Sequence, residues 1–252
     1  MKNRSDVSVT VSDLTLRFPV YGVDAKSLKK YLAQITVGGQ LRSNLAGSTE
    51  VTALNNVSFD LGPGDRLGLI GHNGSGKTTL LRALSGAYEP DEGTIDVHGR
   101  ISALLDLSLG IDPSATGLDN IRLRGRIAGL SAKEIEGKLE EIVEFSGLGP
   151  FIAMPLKTYS AGMQARLAFA VATSVEADVL LMDEWVAVGD GEFRELAEER
   201  LNGLVERAGI LVLASHDLAL IERYCNKVVR IESGHASPVT PISDLRELLV
   251  AA

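Results

Sequence analysis

Only one cysteine, Cys225, occurs among the 252 residues, which excludes an internal disulfide framework and a metal site built on cysteines. No apolar stretch approaches the roughly 20 residues needed to cross a bilayer. Val179–Met182 and Ile210–Ala214 have the length of buried strands instead. A basic surplus is missing too: the formal net charge is −8, which argues against the phosphate backbone of a nucleic acid as partner. Met1-Lys2-Asn3-Arg4-Ser5-Asp6 runs into alternating residues rather than an apolar core, so no secretory leader is expected. No internal repeat and no low-complexity segment is present. The expected compartment is the cytoplasm, with any membrane-spanning part supplied by another polypeptide. The length suits one large α/β domain or two small ones.

Against these absences stands one strong motif. Gly71-His72-Asn73-Gly74-Ser75-Gly76-Lys77-Thr78 fits G-x-x-x-x-G-K-[ST], the loop that wraps the phosphates of a nucleoside triphosphate. Arg66–Ile70 before it reads as a short apolar strand, and Thr79–Leu84 after it as a helix. The chemistry needs that context. Glycines let backbone N–H groups turn inward, and a helix N-terminus favours anionic oxygens. Lys77 is expected to reach the β- and γ-phosphates, and Thr78 to place its hydroxyl on Mg²⁺. His72 stands at a variable position of the loop and is assigned no chemistry.

Around the loop the pattern is α/β. Val7, Val9 and Val11 alternate with polar residues as a half-buried strand does, and Leu14, Leu16 and Phe18 continue the alternation across Asp13. The pattern breaks from Pro19 to Glu50, where Ser27–Ile35 reads as a short amphipathic helix. Strand signals resume at Val51–Leu54, at Val57, Phe59 and Leu61, and at Thr94–Val97. From about Ala103 to Leu167 the reading is helical, with a capping box at Ser131 and Glu134 and a stop at Gly147. Beyond it, a helix from Phe193 to Val205 has its stripe at Phe193, Leu196, Arg200 or Leu201, and Leu204. Lys227–Ile231 is a last strand, and Ser243-Asp244 caps a final short helix.

Two strand ends carry further chemistry. Val179–Met182 leads into Asp183-Glu184. Such a strand is expected to lie beside the phosphate-loop strand, with Asp183 on the metal and Glu184 orienting or deprotonating the attacking water. Ile210–Ala214 leads into Ser215-His216-Asp217. A lone histidine at a strand end is usually structural, but parallel strands end on one shared rim, so His216 is expected to contact the γ-phosphate. Ser160 is a good N-cap for a helix with Gly162 in its first turn. Glycine is locally unfavourable there, so a close backbone approach explains it.

Gly71–Thr78, Ser160-Ala161-Gly162-Met163, Met182-Asp183-Glu184 and Ser215-His216-Asp217, in this order, resemble the ATPase subunit of an ABC transporter over nearly the whole chain. The resemblance implies an α/β phosphate-loop NTPase with a RecA-like core, an antiparallel β subdomain and a helical signature subdomain at about 103–167. It implies ATP and Mg²⁺ as ligands, with residues 71–79, through Thr79, on the nucleotide and Thr78 and Asp183 on the metal. It further implies a head-to-tail homodimer. Each ATP is sealed by Ser160, Ala161, Gly162 and Met163 of the other copy, and Asp190, after Gly189, lies in the loop at the dimer interface. Either Phe18 or Tyr21 stacks on the adenine, although Phe18 also reads as plain core.

Thr116–Ile121, Tyr159–Met163 and Val188–Phe193 are similar to the subfamily that exports lipid-linked polysaccharides such as O-antigens, teichoic acids and capsules. That likeness implies a peripheral subunit on the cytoplasmic face of the inner (plasma) membrane, working on an integral membrane permease, with the polysaccharide carried through the permease. The insertion 19–50 fits the subfamily, and its helix reads as membrane-facing or as a cover for the sheet edge. Some members add a C-terminal β-sandwich that recognises the glycan end; with the sequence ending at Ala252, export without it is expected. Two features depart from ordinary ABC subunits. No glutamine is available between the phosphate loop and the signature, so Asp106 or Ser108 is expected to substitute. Met163 stands where a second signature glycine is usual. A soluble assembly ATPase shares the nucleotide motifs, but the insertion and the Tyr159–Met163 signature argue against it; an exporter of another substrate is the other alternative.

Overall fold

The computed structural model describes residues 6–20, 40–43, 49–107, 109–185 and 191–250. Tyr21, the helix at 27–35, Ser108, Gly189 and Asp190 lie outside them. The chain divides into two compact bodies, Met1–Leu105 with Val179–Trp185 and Gly209–Ala252, and Asp106–Asp178 with Val186–Ala208. In chain order the elements begin with β1 (Ser8–Val20), β2 (Gln40–Ser43), β3 (Thr49–Leu61), β4 (Arg66–Ile70), α1 (Lys77–Leu84), β5 (Glu92–His98) and β6 (Ile101–Leu104). Next come α2 (Gly117–Ile127), α3 (Ala132–Ser146), α4 (Ala161–Ala172), β7 (Val179–Asp183), α5 (Gly191–Arg207) and β8 (Ile210–Ala214). The last are α6 (Leu218–Tyr224), β9 (Lys227–Glu232), β10 (His235–Ala236), β11 (Thr240–Pro241) and α7 (Leu245–Val250).

The first body holds two sheets. One is antiparallel, in the order β2-β3-β1-β5. The alternation in β1 survives Asp13 because the strand bulges there. Asp13 takes φ 52° and Asn56 of β3 also takes φ 52°, so Val9, Val11, Leu14 and Leu16 all face the core although Leu14 follows Val11 by three residues. A bulge inserts one residue and restores the inward phase. It also dictates Gly93 of β5, where an added Cβ would lie 2.3 Å from the Ser12 carbonyl oxygen. Val51–Leu54 and Val57–Leu61, two separate signals in the sequence, are halves of the single strand β3.

The other sheet runs β10-β9-β4-β8-β7-β6, with β11 on β9. Pairings of β4 with β8 and β9, and of β7 with β6 and β8, are parallel. Every residue of β8 is buried, the continuous apolar run expected of a strand covered on both faces. Fully buried leucines such as Leu67, Leu69, Leu80 and Leu81 join both sheets into one core, each contributing about 1.5–3 kcal/mol. Two expectations fail here. The acid-tipped strand β7 does not lie beside β4, because β8 is inserted between them. Ala103 and Leu104 are not helical: they pair with Leu181 and Met182 of β7. A four-residue apolar run does not distinguish strand from helix by periodicity, and pairing decides it.

The second body is helical. Thr116 with Asp119 and Ser131 with Glu134 form capping boxes on α2 and α3, and Gly147 ends α3 at φ 63°. Its core gathers Ile121, Ile135, Ile142, Leu156 and Leu167. Close packing of α2 on α3 needs Gly125, since a Cβ there would stand 2.7 Å from Ile135. On α5, Phe193, Ala197, Leu201 and Leu204 are buried whereas Leu196 is exposed; the inward stripe runs through Ala197, one full turn from Phe193 and Leu201.

Candidate functional site

The loop between β4 and α1 is shaped by its neighbours. Gly71 has φ 146° and Gly76 φ 118°, and a Cβ on Gly71 would lie 2.1 Å from the Ile231 carbonyl oxygen of β9. Only glycine meets both demands. Gly76 caps α1, whose first turn carries no acidic residue, so its unpaired N–H groups face an anion without competition. Lys77 is buried and donates to the carbonyls of Gly71 (2.7 Å) and His72 (3.1 Å). Desolvation holds its ammonium below the ordinary lysine value, opposed by the charges of Glu184 and Asp183. A desolvated cation inside a ring of loop amides suits a polyphosphate. His72 turns its ring to the Asn73 carbonyl, Nδ1 to O 2.8 Å.

Thr78 on α1 donates its hydroxyl to Asp183 at the tip of β7, 2.7 Å. Helix α1 packs against β7, which is how the two meet although β8 separates β7 from β4. Two oxygen ligands at that spacing fit a hard divalent cation such as Mg²⁺. A cleft of about 450 Å³ opens here, lined by Val51, Ala53, residues of the loop, Asp183 and Glu184. Phe18 is the cross-strand partner of Val51 and so shares its face of the sheet; its ring also meets Tyr88 edge-on, centroids 5.2 Å apart. A larger cleft, about 810 Å³, lies in the helical body between Glu141, Thr173 and Leu196. It has no phosphate-loop geometry, and volume alone misdirects.

Glu184 has φ 70°, a conformation that costs a residue other than glycine about 1–3 kcal/mol. The neighbouring strand end holds it. Its N–H donates to the Ala214 carbonyl, 2.8 Å. Its carboxylate accepts from the Ser215 hydroxyl at 2.8 Å and the His216 N–H at 3.1 Å, and His216 Nδ1 stands 2.9 Å away. The hydrogen bond to Glu184, then its charge, raises the His216 pKa above the ordinary 6.5. A raised value means that protonated His216 favours the folded state. That contribution is complete below the unfolded value and disappears as pH rises through the folded one. In an NMR titration His216 is expected to titrate above 6.5 and to return to it in Glu184→Gln. An unshifted wild-type histidine would refute the pairing.

One body therefore brings together residues 71–79, Asp183, Glu184 and His216. Ser160 to Met163 belong to the other. Ser160 caps α4 through the Met163 N–H, 3.2 Å. Among the described residues nothing crowds Gly162, since a Cβ there would meet only the Ser160 hydroxyl at 3.9 Å; packing against these residues does not demand a glycine. In the segment expected to replace the missing glutamine, Asp106 is exposed. Sequence reasoning missed what holds that segment. Asn120 on α2, fully buried, pairs with the Asp112 N–H (2.8 Å) and carbonyl (2.9 Å). One turn on, buried Arg124 donates to the carbonyls of Leu107 and Leu109. The available signal was two polar residues four apart on an apolar helix face.

Loop, helix and acid-tipped strand on a parallel sheet define a phosphate-loop NTPase. A family model described as ABC transporter matches residues 54–187. The chain is 40% identical to the O-antigen export system ATP-binding protein RfbE of Yersinia enterocolitica, over 90% of this chain and 95% of that protein. It is 34% identical to the teichoic acids export ATP-binding protein TagH of Lactococcus lactis over 92% of its own length, spanning about half, 48%, of that protein. A dimeric ATP-binding cassette in a post-hydrolysis state, bound to ADP and Pi, shares the fold with TM-score 0.65 at 18% identity, covering 93% of this chain and 98% of that one. The chain belongs to the ABC transporter family.

Proposed function

We propose that this chain is the ATP-hydrolysing subunit of an exporter of lipid-linked polysaccharide, acting on a separate membrane permease from the cytoplasmic face. One observation carries the reading: the likeness to an O-antigen export ATP-binding protein extends over nearly the full length of both chains. No helix among the described residues is long and apolar enough to cross a membrane.

Lys77 exchanges its loop carbonyls for β- and γ-phosphate oxygens, and the loop amides with Thr79 hold the rest of the polyphosphate. Thr78 and Asp183 hold Mg²⁺, which supplies charge neutralisation at the phosphate oxygens. Glu184 takes the proton of the attacking water, and His216 and Ser215 keep its carboxylate aimed. Phe18 or Tyr21 stacks on the adenine. A second copy supplies Ser160 and Gly162 over the γ-phosphate and Asp190 at the interface, so that binding closes the dimer and hydrolysis reopens it. Catalysis is mostly positioning and charge stabilisation.

The export reading is tested in cells of the source organism. Replacing the native gene by one encoding Lys77→Ala should leave lipid-linked polysaccharide inside the cell, detected by glycan antibody only after permeabilisation. Normal surface glycan would overturn the substrate assignment without touching the reading of the native chain as an ATPase.

A further inference from the structure

Glu184 is followed by Trp185, the only tryptophan in the sequence. Its ring stacks on Tyr224 at the end of α6, centroids 4.2 Å apart and planes inclined by 17°. Tyr224 is a fixed platform. It is buried, and the Arg223 guanidinium lies 4.9 Å from its ring centroid. Helix α6 sits directly on the phosphate-loop strand, since a Cβ on Gly68 of β4 would lie 2.7 Å from Ile221. Just beyond α6, the Asn226 N–H donates to the Arg66 carbonyl at 2.9 Å.

A residue in a sparsely populated backbone region stays there only when its surroundings over-determine it. Glu184 is held from upstream by β7 and sideways by Ala214, Ser215 and His216. His216 is exposed, with its side chain 79% accessible, so water competes for that contact. The downstream flank is held by an apolar stack, which water does not replace. We propose that Trp185, stacked on Tyr224, is a positioning residue that keeps Glu184 at positive φ with its carboxylate aimed, and thereby sets the rate of ATP hydrolysis. This rests on the reading of Glu184 as the group that activates water.

The test uses the full chain and single-turnover hydrolysis, with the protein in excess over Mg-ATP and above its Kd. Trp185→Ala should lower the rate about 3- to 10-fold, the scale of a lost aromatic pair, with nucleotide affinity unchanged. Trp185→Phe, which keeps a ring on Tyr224, should restore most of it. Tyr224→Ala should match Trp185→Ala, and the double variant should lose little more, as expected for two halves of one contact. The His216 pKa should fall toward its ordinary value in Trp185→Ala. Trp185→Leu keeps apolar bulk without the ring and serves if the alanine variant does not fold. A wild-type rate in Trp185→Ala or Trp185→Leu, or a phenylalanine variant as slow as alanine, overturns the proposal. Glu184→Gln run in parallel separates the two claims. If it is inactive while Trp185→Ala is normal, only the positioning role fails; if it hydrolyses normally, the reading of Glu184 fails first.

Discussion

Glu184→Gln is expected to bind ATP as the native chain does and to release phosphate about 10²–10⁴-fold more slowly, the scale of a lost general base. The amide is nearly the shape of the carboxylate it replaces. Its oxygen can accept the His216 N–H, and its NH₂ can donate to the Ser215 hydroxyl, which both donates and accepts. Folding should therefore survive, while the amide has no capacity to take a proton from water. Equilibrium titration with a fluorescent ATP analogue and a phosphate-release assay separate the two properties. Undiminished release would remove Glu184 from its role.

Lys77→Ala should abolish tight nucleotide binding and leave the nucleotide-free fold as stable as before. In the empty loop the Lys77 hydrogen bonds to the Gly71 and His72 carbonyls and its attraction to Glu184 and Asp183 are offset by its desolvation, so its removal should change the stability of the nucleotide-free fold little. In thermal melts the native chain should gain about 2.7 kcal/mol from ligand at 100 times its Kd, and the variant nothing. An intact ATP-induced shift in the variant would show that the loop holds phosphate without its lysine.

Several features of the site are local, and these were legible in the chain. Gly71 to Thr78 announce the loop because backbone conformation, donor placement and helix start all depend on residues within one short segment. The capping boxes at Thr116 and Ser131 are equally local. The corrections concern what neighbours decide. Ala103 reads as helix until it pairs with β7. Asp13 looks like an interruption until the bulge shows how it keeps Leu14 inward. Leu196 loses its place on the stripe because Ala197 lies one full turn from both Phe193 and Leu201.

Asn120, Arg124, Ser215 and the Trp185–Tyr224 stack belong to a further level. Each makes its contact with a residue placed beside it by folding, so composition and spacing carry little trace of them. Ser215 was visible as part of a strand end, yet its grip on Glu184 depends on β8 lying next to β7, a strand order on which the sequence is silent.

Residue types and spacing marked the phosphate-loop motif and the capped starts of α2, α3 and α4, because those features are made by neighbours along the chain. Strand order, the meeting of Thr78 with Asp183 and the positive φ of Glu184 were decided only by the folded body, because they depend on contacts between segments far apart in sequence.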